Sequence, residues 1–191
     1  MFDTSITFRK IFGHLKTILV HKYWVFYYCC KLGIPWRGFK HDMSKFSPVE
    51  FWESVRYWDG KSSPIPRAKL DKGYSLAWQH HKGHNTHHYE YWVDWLDKGG
   101  IPIKMPWYDL LELVADWLGA GRAYQGKDFT LKGEYEFVLH KFMVEQPKIH
   151  ETTAKFISYA LYRFAEDPDY IKTFRSSLYK DLWKDRYENS N

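Results

Sequence analysis

Residues 107–124 read WYDLLELVADWLGAGRAY. Leu110, Leu111, Val114 and Leu118 recur at three- and four-residue spacing, the pattern of one helical face. Asp116 sits among them. An acid on an apolar helical face is costly unless something partners it. A metal ion would satisfy it. So would a place at the edge of the face, paired with Arg122 or open to water. Both readings stay open on this stretch alone.

The same spacing recurs on both sides. Residues 4–32 carry Ile6, Ile11, Leu15, Ile18, Leu19, Val25 and Tyr28 at helical intervals, and Gly33 and Pro35 supply a stop. Ser47-Pro48 reads as an N-cap with proline at the first helical position, and Glu50 completes a capping-box pattern. That helix is predicted to run to about Trp58. Residues 59–67, DGKSSPIPR, form a loop. Helix is predicted again from about Ala68 to at least His81, and KGHNTHHYEYW is ambiguous because Gly83 and Asn85 can break it. Residues 97–106 form another loop. After a helix over 107–124 and a turn at Gly126–Thr130, helices are predicted at about 131–145, 149–165 and 168–187, bounded by Pro147 and Pro168. No segment alternates as a half-buried strand does, so no sheet is expected. The prediction is one all-α domain over residues 1–191.

Composition sets limits on function. The chain has 191 residues, enough for a sizeable core. Its 28 basic and 23 acidic residues leave a net charge of +5. This modest, diffuse excess suits a small anionic substrate and falls short of a nucleic-acid footprint. The 10 Trp, 15 Tyr and 13 Phe place many rings at the boundary of the core, where indole N–H and phenol O–H groups find partners. The only cysteines are the adjacent Cys29 and Cys30, which excludes a disulfide framework within one chain and fits a reducing, cytoplasmic setting. The apolar run Tyr23–Cys30 is far shorter than the roughly 20 residues that cross a bilayer. No signal-like core with a cleavage site is visible.

The chemistry lies in the histidines. Five of the ten, His80, His81, His84, His87 and His88, fall within nine positions. If the helix continues, His81, His84 and His88 share one face, and His80, His84 and His87 an adjacent one. Neutral imidazoles so grouped hold Zn, Mn, Fe or Ni well. His41-Asp42 offers a nitrogen ligand and a carboxylate able to bridge two ions, and Lys45 can hold a phosphate as a point charge. His21 lies in the helix before them, four residues ahead of Val25. Glu50 and Glu90 are candidates to orient a ligating imidazole. His140 and His150 read as structural or exposed.

Taken in order, HKYWVFYYC from His21, KHDMSK around His41-Asp42 and LVADWLG around Asp116 resemble the HD superfamily of metal-dependent phosphohydrolases. In that family a first His, a His-Asp pair and a late Asp come from different helices and bind one metal. The resemblance implies an HD-like helical bundle with His21, His41, Asp42 and Asp116 as ligands. Further histidines between these points imply a second ion, here on His81, His87 and His88. The chain is also similar to an uncharacterised, largely bacterial and phage family with the motifs HDxSKFSxxEF, AWxxHxxxNxHHxEYW and ADWxGAGR. Here these are His41–Phe51, Ala77–Trp92 and Ala115–Arg122, so the metal-site core spans about residues 15–125 and the helices of about 131–187 complete the domain.

What the resemblance implies is hydrolysis of a phosphate ester, a nucleotide, through one or two divalent transition metals (Mn, Fe, Co, Ni or Zn) and an activated water. Asp42 would bridge, and Lys45 and Arg122 would neutralise phosphate charge. The same ligands could instead form a di-iron centre that activates oxygen in an HD-like bundle; a carboxylate-rich ferritin-like site is disfavoured, because no Glu-x-x-His pair repeats. A metal-stabilised protein that binds a nucleotide or a partner without turnover is the reading outside enzymology.

Overall fold

In the computed structural model, residues 2–95 and 99–173 are described. The fold is a predominantly helical bundle. Its helices are α1 (Phe8–Lys31), α2 (Pro35–Lys40), α3 (Pro48–Tyr57), α4 (Pro64–Lys72), α5 (Leu76–His84), α6 (Trp107–Gln125), α7 (Leu131–Glu145) and α8 (Glu151–Glu166). The helix expected at about 168–187 lies almost wholly outside the described residues.

α6 is the axis of the core. Leu110, Leu111, Leu113, Val114, Ala115 and Leu118 are all fully buried, so it packs on several sides at once. α1 lies along it. A side chain at Gly119 would collide with Val25, its Cβ meeting Val25 Cγ2 at 2.5 Å, so the absent side chain is what lets the two helices approach. α7 and α8 cover another flank, contributing Val138, Phe156, Ile157, Ala160, Leu161 and Phe164 to the same core. Rings at the surface are numerous: Phe12, Tyr23, Trp36 and Phe39 stay largely exposed.

Caps explain most of the boundaries. Thr7, Ser47, Ser63, Ser75 and Thr130 each accept a backbone N–H from the first turn of the following helix. At α3 the box is only half made. Ser47 Oγ accepts from Glu50 N, but the Glu50 carboxylate turns to His80 and His81.

Three expectations need correction. The helix predicted from about Ala68 to His81 is two helices, and the first starts at Pro64, inside the loop expected over residues 59–67. Gly73 adopts a left-handed conformation (φ 80°) and ends α4, and Ser75 starts α5. Glu53 fixes the break by accepting from Lys72 Nζ at 2.7 Å and from Ala77 N at 3.1 Å. Second, the stop at Gly33 is followed at once by α2, which Pro35 initiates and which is too short to show a period. Third, a small sheet exists. Val93–Asp94 (β1) pairs antiparallel with Ile101–Pro102 (β2), Val93 opposite Pro102. Two residues per strand cannot display alternation. No helix among the described residues is long and apolar enough to cross a membrane.

Candidate metal centre

The ambiguous stretch after α5 decides the site. The helix ends at His84, and Asn85 is extended. Asn85 Nδ2 donates to the His81 carbonyl at 2.7 Å and to Ser44 Oγ at 2.8 Å, which holds the exit of the chain. His87 and His88 therefore arrive from a loop, not from the face of a continued helix. His81, His87 and His88 are buried, and their rings pack together, His87 on His88 at 4.3 Å and His81 on His88 at 4.7 Å. His84 stays outside, its Nδ1 donating to the His80 carbonyl. His80 is peripheral too, tied to Glu50 at 2.7 Å.

His41 and Asp42 sit on the turn between α2 and α3. Asp42 is left-handed (φ 54°, ψ 30°), a conformation an L-residue holds only at a cost and one that recurs at functional sites. Lys22 Nζ donates to the His41 carbonyl and so holds the strained turn against α1. The turn aims the two Asp42 oxygens in different directions.

Oδ2 faces His21 from α1, His41, and Asp116 from α6. His21 Nε2 lies 3.2 Å from Asp42 Oδ2 and 3.2 Å from Asp116 Oδ1. His41 Nε2 lies 3.2 Å and 3.3 Å from the same two oxygens, and 3.3 Å from His21 Nε2. Donor atoms ~2.0–2.1 Å from a tetrahedral centre span edges of roughly 3.3–3.4 Å, so the donors are spaced as a metal ion would need them. Oδ1 faces the second group, 3.4 Å from His81 Nε2 and 3.3 Å from His87 Nε2. In this group Asp42 Oδ1, His87 Nε2 and His88 Nε2 are buried without a hydrogen-bond partner. Three such atoms converging on one point are what metal ligands look like before the ion is added. Each group brings four donor atoms within 4.8 Å of one another.

The opposite ring nitrogens are held by acids. Glu112 Oε1 accepts from His41 Nδ1 at 2.9 Å and lies 3.3 Å from His87 Nδ1, while Oε2 accepts from Arg37 Nε at 2.6 Å. Glu50 Oε2 accepts from His81 Nδ1 at 2.8 Å. Such contacts fix the tautomer and turn each Nε2 inward.

The electrostatics differ between the two groups. Burial alone would raise the Asp42 carboxyl, but His41, Lys45 and His81 outweigh it and hold it well below the usual range. At Asp116 burial is likewise outweighed, here by His21 and His41. Burial opposes charge on His41, yet Asp42, Asp116 and Glu112 leave it well above an ordinary imidazole. Burial and the neighbouring His87 and His81 push His88 the other way, to the neutral form that ligation needs.

Lys45 Nζ sits 2.6 Å from Asp42 Oδ2, at the centre of these charges. Arg122 does not join it. Its Nε donates to the Tyr28 hydroxyl at 3.1 Å, and its guanidinium lies over Trp24 and Phe129. Glu90 is also elsewhere, bonded to Tyr89. Glu112 escaped the sequence reading, though it stands four residues before Asp116 on the same face of α6. That acid pair on an apolar helix was the available signal.

A cavity of about 190 Å³ opens beside both groups. His21 and Asp116 of the first group line it, with His81 and His88 of the second, Lys45 and Glu50.

Fold and site together define a helical protein with paired histidine–carboxylate groups able to coordinate metal. Residues 10–163 match the family of unknown function DUF5662, and the chain belongs to that family. No curated protein and no solved structure matches it.

Proposed function

We propose that the protein is a metal-dependent hydrolase of a phosphate ester, a nucleotide in the first instance, with a two-ion centre of the HD type. One observation carries the reading: Asp42 offers one oxygen to each ligand group, beside a cavity that residues of both groups and Lys45 wall. His21, His41, Asp42 and Asp116 would hold one ion, and His81, His87, His88 and Asp42 the other. Bound there, divalent ions supply Lewis-acid charge and lower the pKa of water. The chain does the rest. Glu112 and Glu50 hold the Nδ1 side of the imidazoles and keep each Nε2 turned inward. Lys45, with its ammonium on Asp42 and its stem on the cavity wall, is placed to neutralise a phosphoryl oxygen. Access through the cavity favours an open site over a closed structural one.

The test is metal analysis of the purified protein, then a phosphatase screen over nucleotides with Mn, Co or Ni. Two equivalents are expected in the wild type, one in His81→Ala and none in Asp42→Ala, with turnover only in the wild type. Absence of bound metal overturns the reading. So does a fully loaded protein that hydrolyses no phosphate ester in the screen.

A further inference from the structure

The cavity has an end that this reading leaves idle. His14 and His21 lie on the same buried stripe of α1, seven residues apart. At ~1.5 Å rise per residue their positions differ by about 10 Å along the helix. His21 faces the carboxylates of the first ligand group, and His14 lines the cavity two turns away.

His14 is 6% exposed, and its Nδ1 is buried with no hydrogen-bond partner. Its nearest ring neighbour, Phe51 at 5.5 Å, offers none. The Thr17 hydroxyl beside it is already engaged, donating to the Gly13 carbonyl and accepting from the Trp58 indole. Burial, with Lys45 nearby, lowers the His14 imidazole to about 4, so it is neutral at pH 7 and presents one donor and one acceptor. A buried polar atom left without a partner needs an explanation, and a ligand group is one.

The rest of the wall is mostly apolar, with Ile18, Pro64, Ile65, Ala77, Trp78 and Tyr124. The cavity measures about 190 Å³. That is below the roughly 300–1,000 Å³ of pockets for drug-sized ligands. A dinucleotide or a threaded strand is too large. A second phosphate at the far end would meet a neutral ring.

We propose that the cavity takes the organic part of a compact phosphate monoester, and that His14 is its specificity-determining residue, bonding an uncharged polar edge about 10 Å from the ligand groups. A pyrimidine nucleoside has that reach and such an edge. The inference rests on the hydrolytic reading above, and its test separates the two.

The probes are uridine 5′-monophosphate and phenyl phosphate, on the full-length, metal-loaded protein. Nitrogen NMR of the wild type follows the His14 ring, and kinetics compare the wild type with His14→Leu and His14→Gln. Uridine monophosphate is expected to shift the His14 nitrogens. His14→Leu is expected to lower its kcat/KM about 10- to 100-fold, the loss for a buried group left unpaired, and His14→Gln to recover part of that. Phenyl phosphate, which does not reach the far end, is expected to stay within about twofold. No shift at saturating uridine monophosphate overturns the inference, as does an equal loss on both esters. If neither ester is turned over while the His14 shift persists, the hydrolytic reading falls and the binding role of His14 stands.

Discussion

Glu112→Gln is the sharpest perturbation of the centre, because one carboxylate serves both ligand groups. Oε1 sits between His41 Nδ1 at 2.9 Å and His87 Nδ1 at 3.3 Å, and Oε2 accepts from Arg37 Nε at 2.6 Å. All three partners are donors. Glutamine has one acceptor oxygen and an amide that only donates. Turned one way, its NH₂ opposes the imidazoles; turned the other, it opposes the guanidinium. No rotamer satisfies both sides, although volume and backbone are unchanged. Loss of such a contact behind a metal ligand typically weakens binding 10- to 100-fold, or about 1.4–2.7 kcal/mol. Since His41 belongs to one group and His87 to the other, metal affinity should fall at each group. Arg37 is partly exposed, so the metal-free protein should lose only about 1–2 kcal/mol. The assay is competition with a chromogenic chelator for Zn or Mn, with urea unfolding of the metal-free protein as the control for folding. Affinities within twofold of wild type at both sites would refute the role assigned to Glu112.

Two further outcomes are expected. Burial, with the Asp116 charge adding to it, raises Glu134 to about 7, against 4.5 for an ordinary glutamate. The folded state binds the extra proton between these values, so stability falls as pH rises through that window, by up to about 3 kcal/mol. Glu134→Gln mimics the protonated form; it should stabilise the metal-free protein at pH 8 and leave it unchanged near pH 4.5, as read from urea midpoints. An equal effect at both pH values would assign it to packing. Arg122→Met removes the bond to Tyr28 and the cation over Trp24 and Phe129, and should cost about 1–2 kcal/mol of stability. Metal content should be unaltered; a loss of turnover with both ions retained would return Arg122 to the substrate.

How much of this was legible in the sequence depends on the range over which each feature is determined. α6, α7 and α8 are long amphipathic segments whose own residues fix them, and they fall where the periodicity puts them. The break inside residues 68–81 is not fixed locally. Gly73 permits it, but Glu53, some twenty residues away, makes the bonds that hold it. α2 and the hairpin are too short for a period to exist. The site divides in the same way. Asp116 stands out as an acid on an apolar face, and Glu112, a turn earlier, carries the same signal. His14 was hidden by ordinariness: a lone histidine on a helix gives no sign of what faces it.

The five clustered histidines show why residue type and geometry are separate questions. On a continuous helix the natural set would be His81, His84 and His88, spaced at three and four. The chain instead leaves the helix after His84, and the loop folds back to bring His87 and His88 against His81. The donors that converge are those with buried, inward nitrogens, while His80 and His84 stack on each other outside at 3.9 Å. A helix could have presented one side of a coordination sphere. Binding between two elements and sharing Asp42 requires donors from more than one direction, which a turn supplies and a straight helix cannot. Asp42 itself sits on a left-handed turn between the two groups, and its two oxygens face one group each.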